Sequence, residues 1–292
     1  MNQEPVLAPQ RVIPISWGNN TFKIRTLTDT HQDAEGFRKE VFRAFVNEQR
    51  RDKKSVWIHT GDLCDSERPS TRHMKKIMYA DRGEAWTQED KRTLDWLDRS
   101  IIPQYAPISD SCLGMLDGDH FFVFSNGMTS TEYICRKLKI PYLGERSSFV
   151  TLLFRPGDNP GGMQYVIHAR HGKGAAPSHG GDINALVRQE ANWIADLHLG
   201  GHSHKENCHP QRGEYVNNKG IICSRICWYM RGGSMLDGFP HNGPKTYAYR
   251  KEYGPLPVGW GEVELSIGRK MQDSRTARKL EIYRSKASII AA

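Results

Sequence analysis

Apolar residues recur along this chain in two rhythms, and each rhythm stops at a cluster of polar groups. Phe22 and Ile24 alternate with polar neighbours up to Leu27, as in a half-buried strand, and the run empties into Thr28-Asp29-Thr30-His31. Phe37, Val41, Phe42 and Phe45 then fall on one helical stripe. Ser55 to Thr60 predicts a second strand, which ends at Gly61-Asp62-Leu63-Cys64-Asp65. Thr87 with Asp90 has the spacing of a capping box opening a helix with Leu94, Leu97 and Ile101 on one face, stopped by Pro103.

The alternation continues downstream. Ser111 to Leu116 predicts a short strand delivering Asp117-Gly118-Asp119-His120, and Thr129 is placed to cap another helix. Strands at Ser148 to Phe154 and Gln164 to Ala169 lead to His171-Gly172. A glycine-rich loop gives way to a helix carrying Ile183, Leu186, Val187 and Ile194, and Ala195 to Leu199 delivers Gly201-His202-Ser203-His204. After residue 205 the pattern shifts to β-like runs (GIICSRICWYM, KTYAYR, GEVELSIG, KLEIYR) separated by Gly and Pro. The alternation of strands and helices predicts an α/β layered fold. With no repeat or low-complexity linker, residues 1–292 read as a single domain: a motif-bearing core of about 22–205 and C-terminal strands with a basic tail over 206–292.

Five motifs therefore stand at successive strand ends: D-x-H, G-D-x-x-D, G-D-H, H-G and G-H-x-H. Read singly, each Asp or Gly is ordinary turn chemistry. Read as an ordered set, they place imidazoles and carboxylates along one edge of a sheet, a mixture that suits Mn, Fe or Zn better than Ca or Mg. On these motifs the sequence resembles the calcineurin-like metallophosphoesterase family over residues 22 to 205. The stretch KLKIPYLGERSSFVTLLF is similar to its phage and prophage members.

The resemblance implies a four-layer α/β/β/α sandwich of two mixed sheets flanked by helices, with two divalent metal ions at their edge. It implies Asp29, His31 and His204 on the first metal, Asp119, His171 and His202 on the second, and Asp62 bridging them. His120 becomes the general acid beside the substrate and Asp65 its orienting partner. Such a metal pair can acidify a bridging water and clamp an in-line displacement at phosphorus. Most relatives have Asn where this chain has Asp119. Relatives acting on phosphoproteins carry an arginine after the second aspartate, where this chain has Ser66-Glu67, which argues against a protein phosphatase.

Charge and composition narrow the substrate. A formal charge of +8 and a pI near 9.2 favour polyanionic partners, so a phosphodiester of DNA, RNA or a nucleotide is the expected substrate. A phosphomonoesterase on a small metabolite and a nucleic-acid-binding module with a vestigial metal site remain as alternatives. The basic tail (Arg269, Lys270, Arg275, Arg278, Lys279, Arg284, Lys286) reads as solvated. No apolar run is long enough to span a membrane, and the start lacks a secretory pattern, so a cytoplasmic location is expected. The six cysteines, including Cys223 and Cys227 in C-x3-C spacing, read as buried free thiols. His59, His168 and His198 read as packed or supporting histidines, His179 and Lys173 as loop residues, and Phe121 to Phe124 as core.

Overall fold

The computed structural model describes residues 8–16, 20–65, 84–157, 162–174, 178–218, 220–239, 257–270 and 279–291. Ser66-Glu67, the run 245–250 and Arg275 and Arg278 of the basic tail lie outside them. Period-two alternation builds the first sheet. In β2 (Asn20–Leu27), Phe22 and Ile24 point to one face and Leu27 to the other, and in β3 (Ser55–His59), Val56 and Ile58 oppose Trp57. Strand β10 (Gly259–Lys270) pairs antiparallel with β2, setting Val263 opposite Ile24 and Leu265 opposite Phe22. With β4 (Cys112–Met115) parallel to β3 and β11 (Lys279–Ala291) antiparallel to β10, the order is β11-β10-β2-β3-β4.

The second sheet comprises β1 (Gln10–Ile15), β5 (Ser147–Pro156), β6 (Met163–Arg170), β7 (Leu197–Gly200), β8 (Glu206–Val216) and β9 (Ile222–Gly232), in the order β1-β5-β6-β7-β9-β8. Both sheets are mixed. Within them β2, β3 and β4 run parallel to one another, as do β6, β7 and β9. Between the sheets lies an apolar layer that includes Phe22, Ile24, Ile58, Leu152, Phe154, Ile167, Leu199 and Val263. Burial of such side chains, at about 25 cal/mol per Å² of apolar surface, is what holds the layers together.

Helices cover the outer faces. On the five-stranded sheet sit α1 (Lys39–Arg51), α2 (Glu84–Trp96) and α3 (Ser130–Leu138), packed against Trp57, Met115 and Trp260 in a second apolar layer. Helix α4 (His179–Glu190) covers the six-stranded sheet, with Leu186 wholly buried. The result is the four-layer α/β/β/α sandwich. C-terminal strands β8 to β11 are built into the same two sheets. Among the described residues no helix is long and apolar enough to cross a membrane.

Several local expectations differ from what is found. Helix α2 begins at Glu84, so Thr87 lies inside it, and Asp90 instead accepts the N–H and hydroxyl of Ser125. Pro103 does not stop the helix. The chain passes through a π turn (Leu97–Ile101) into one more α turn (Ile102–Tyr105), where proline falls in the first turn and needs no N–H partner. Ile194 lies beyond the end of α4 and is exposed. Thr129 does cap α3, accepting the Glu132 N–H at 3.0 Å. Cys64, Cys112 and Cys135 are buried free thiols, whereas Cys208, Cys223 and Cys227 are half-buried on the β8–β9 hairpin.

Phe45 is fully buried, edge-on to Trp57 and Trp260 at centroid separations of 6.0 and 5.6 Å. Phe45→Ala is expected to lower the unfolding free energy by about 3–5 kcal/mol in a denaturant titration, and a loss under about 1 kcal/mol would contradict this packing.

Candidate metal centre

Parallel strands end on the same edge, and that explains how residues distant in sequence meet here. Asp29 and His31 follow β2, Asp62 follows β3 and Asp119 follows β4, while His171 follows β6 and His202 and His204 follow β7. Hydrogen bonds lace these loops together. The Asp29 N–H donates to the Gly61 carbonyl (3.0 Å), His31 N–H to that of Asp62 (3.1 Å), Asp62 N–H to that of Asp117 (2.9 Å), and Gly201 N–H to that of His171 (2.9 Å). His202 N–H crosses between the sheets to the Asp29 carboxylate at 2.9 Å.

The backbone is strained where the polar groups converge. Among the described residues six non-glycine positions have positive φ, and five of them are Asp29 (48°), His31 (42°), Asp62 (55°), His202 (72°) and His204 (56°). The sixth, Lys139, ends α3 in a left-handed cap. Such conformations cost of order 1–3 kcal/mol each and concentrate at functional sites. Glycine is required beside them. A Cβ on Gly61 would meet the His171 ring, and one on Gly118 would meet the Asp62 carboxylate.

Two trios form, Asp29-His31-His204 and Asp62-His171-His202, each offering donor atoms that all lie within 4.8 Å of one another. Asp62 stands between them: Oδ2 is 3.1 Å from His171 Nε2 and 3.9 Å from His31 Nε2, while Oδ1 accepts the N–H of Asp119 (2.6 Å) and of His120 (2.8 Å). Asp119 joins the second trio, with Oδ2 3.0 Å from His202 Nδ1 and 3.6 Å from His171 Nε2, and its Oδ1 is held by Arg146. His171 Nδ1–H donates to the Thr60 carbonyl at 3.0 Å, which fixes the ring and turns Nε2 toward the carboxylates. The Nε2 atoms of His31 and His171 are buried and make no hydrogen bond. Two donors about 2.1 Å from one cation at a right angle lie about 3 Å apart, so these spacings and this donor chemistry fit divalent cations.

The electrostatics follow from the same crowding. Burial opposes charge on Asp29, yet His204, His171 and His31 outweigh it and hold its carboxyl far below the usual range. Asp62 is likewise opposed by burial and lowered by His171 and His31. Burial also works against His171, but Asp62, Asp29 and Asp119 raise it to about 9. Asp65 is lowered chiefly by its contact with His31, and Asp119 by its contact with His202. Every acid is thus kept ionised by imidazoles that a cation can replace. His120 stands at the rim, its Nδ1 3.2 Å from the Asp65 carbonyl and 3.3 Å from Asp65 Oδ1.

Other histidines are placed behind the ligands. His59 Nδ1 accepts the Gly61 N–H at 3.1 Å, and its Nε2 lies 3.1 Å from the Thr30 hydroxyl, which itself donates to the Leu63 carbonyl. The ring is therefore neutral with its proton on Nε2, and burial pushes its pKa down to about 3. His168 and His198 face away from the centre, both turning Nδ1 to Glu190 Oε2, the His198 contact at 2.7 Å. His168, Glu190 and His198 also group closely enough to be a third candidate set. Both Nδ1 atoms converge on one carboxylate oxygen, however, so the contact reads as paired hydrogen bonds. Phe122 and Phe124 are buried in the outer layer beside α3.

Sequence reasoning did not single out three supporting residues. Arg231 ion-pairs with Asp182 at 2.9 Å and donates to the Gly201 carbonyl, while Asp182 also receives the Ser203 hydroxyl (3.2 Å), bracing the loop of His202 and His204. Arg146 is the third. The motifs gave no signal for them, since each partner lies tens of residues away in sequence.

No family model matches the sequence, and no curated protein matches it. Among solved structures the chain is similar to a conserved uncharacterized protein of Streptococcus pneumoniae TIGR4, described as a predicted phosphoesterase, at 14% identity and a TM-score of 0.33, covering 92% of this chain and 98% of that one.

Because His59 is depressed from 6.5 in the unfolded chain to about 3 in the fold, its contribution to stability is complete above pH 6.5 and declines as pH falls toward 3. The melting-temperature gap between the wild type and His59→Asn should therefore be widest above pH 6.5 and narrow on acidification. A gap that is constant or widens toward acid would contradict a buried neutral ring.

Proposed function

We propose that the chain is a dinuclear metal-dependent phosphoesterase of the calcineurin-like kind, acting on phosphodiester bonds of nucleic acid or nucleotides. The observation that carries the reading is the pair of Asp/His trios meeting at Asp62. Asp29, His31 and His204 would hold one cation, and Asp119, His171 and His202 the other, with Asp62 shared. Manganese is the favoured metal, with iron or zinc the alternatives for such a donor set. When bound, divalent cations supply Lewis acidity toward a phosphoryl group and make hydroxide available near neutral pH.

The chain's own residues supply the rest. Loop-to-loop hydrogen bonds fix the ligands before substrate arrives, so little reorganisation is needed at the moment of reaction. With Nδ1 of His120 against Asp65, its Nε2 is left to carry the proton handed to the leaving oxygen. Asp65 also lies 3.3 Å from His31 Nδ1, so one carboxylate orients both a ligand and the proton donor. Pairing of β10 with β2 supports treating residues 1–292 as one catalytic domain. The diester preference is supported by the charge of +8 and by Ser66-Glu67 following Asp65.

In the presence of Mn²⁺ the protein should hydrolyse bis-p-nitrophenyl phosphate faster than p-nitrophenyl phosphate, and His120→Ala should lower kcat by about 10²–10⁴-fold. Turnover of the monoester alone would end the diester reading. Salt-sensitive DNA binding that survives chelation, with no turnover under Mn²⁺, Fe²⁺ or Zn²⁺, would replace the enzyme by a binding module.

A further inference from the structure

Four carboxylates, those of Asp29, Asp62, Asp65 and Asp119, crowd the proposed centre, and a phosphomono- or phosphodiester approaching them is itself an anion. Among the described residues, the only lysine or arginine ion-paired with any of the four is Arg146. It follows Gly144 and Glu145, whose carbonyls accept the N–H groups of Asp117 and Gly118, and its own carbonyl accepts the His171 N–H at 3.0 Å. The backbone of residues 144–146 thus stitches the Asp119 loop to the His171 loop. Its side chain is 43% exposed and spends one N–H on Asp119 Oδ1, and among the described residues no other hydrogen bond or ion pair engages the guanidinium. A guanidinium carries five N–H donors in a planar fork that matches two oxygens of a phosphoryl group.

We propose that Arg146, anchored by Asp119 at the rim of the centre, is the phosphate-recognition residue, its remaining N–H groups donating to non-bridging oxygens of the substrate. This rests on reading the cleft as a phosphoesterase site. The charge logic is local: Asp119 sets the cation in place from one side, and a phosphoryl group can engage the donors that face solvent.

The test uses the full chain loaded with Mn²⁺, with inorganic phosphate as probe in calorimetry and bis-p-nitrophenyl phosphate in kinetics. Arg146→Ala removes the fork and leaves the backbone contact to His171. It should weaken phosphate binding about 10- to 100-fold, the loss of one or two charge-assisted hydrogen bonds, and raise KM far more than it lowers kcat. Arg146→Lys should recover part of the phosphate affinity, and Mn²⁺ affinity should fall by less than phosphate affinity, since Asp119 loses one hydrogen bond while every ligand residue is kept. Phosphate affinity and KM unchanged in Arg146→Ala would overturn the assignment. So would a collapse in Mn²⁺ affinity, which would make Arg146 a support for Asp119 alone. Wild-type protein that binds phosphate through Arg146 but turns over no ester would sink the enzymatic reading and leave this one standing.

Discussion

The carboxylate of Asp62 is the joint on which the centre turns. One oxygen accepts the N–H groups of Asp119 and His120, and the other faces His31 and His171, so a single side chain contacts loops that follow β2, β4 and β6. Its backbone is committed as well, donating to Asp117 and accepting from His31. All of this is possible only because φ at Asp62 is 55° and because Gly61 and Gly118 leave room for the close approach. The two sheets hold that geometry in place, since β2, β3 and β4 end together and β6 and β7 end opposite them.

Such an arrangement is costly in isolation. Five left-handed residues at about 1–3 kcal/mol each, together with several buried acids, would be untenable without compensation. The imidazoles provide it: burial disfavours every charge here, yet the acids stay ionised because histidines face them, and His171 is raised to about 9 by the acids in turn. Cations of higher charge can take the place of those protons, which links metal uptake to proton release. Outside this inner ring the side chains are held by fixed partners, as with His59 between Thr30 and Gly61, or Arg231 ion-paired with Asp182.

How much of this was legible in the sequence follows from the range of the interactions. Strands β2, β3 and β4 announced themselves by alternation and by the glycine and aspartate at their ends, because turn chemistry is local. The seven expected ligand residues arrive at one place because the parallel strands that carry them end on the same edge. What failed was what depends on distant partners. The short β1 and the mostly exposed β8 carry little apolar alternation and exist because β5 and β9 pair with them. Thr87 and Asp90 look like a cap, but Asp90 is taken by Ser125, thirty-five residues on. Arg146, Asp182 and Arg231 have no motif, since an arginine becomes part of a site only when the fold supplies its carboxylate.

Crystals grown with Mn²⁺ and measured at the manganese absorption edge test most directly whether cations are gathered on both sides of Asp62. Two anomalous peaks are expected, one among Asp29, His31 and His204 and one among Asp119, His171 and His202, each within coordination distance of Asp62. Anomalous density absent from both trios, or present only away from Asp62, would contradict that arrangement.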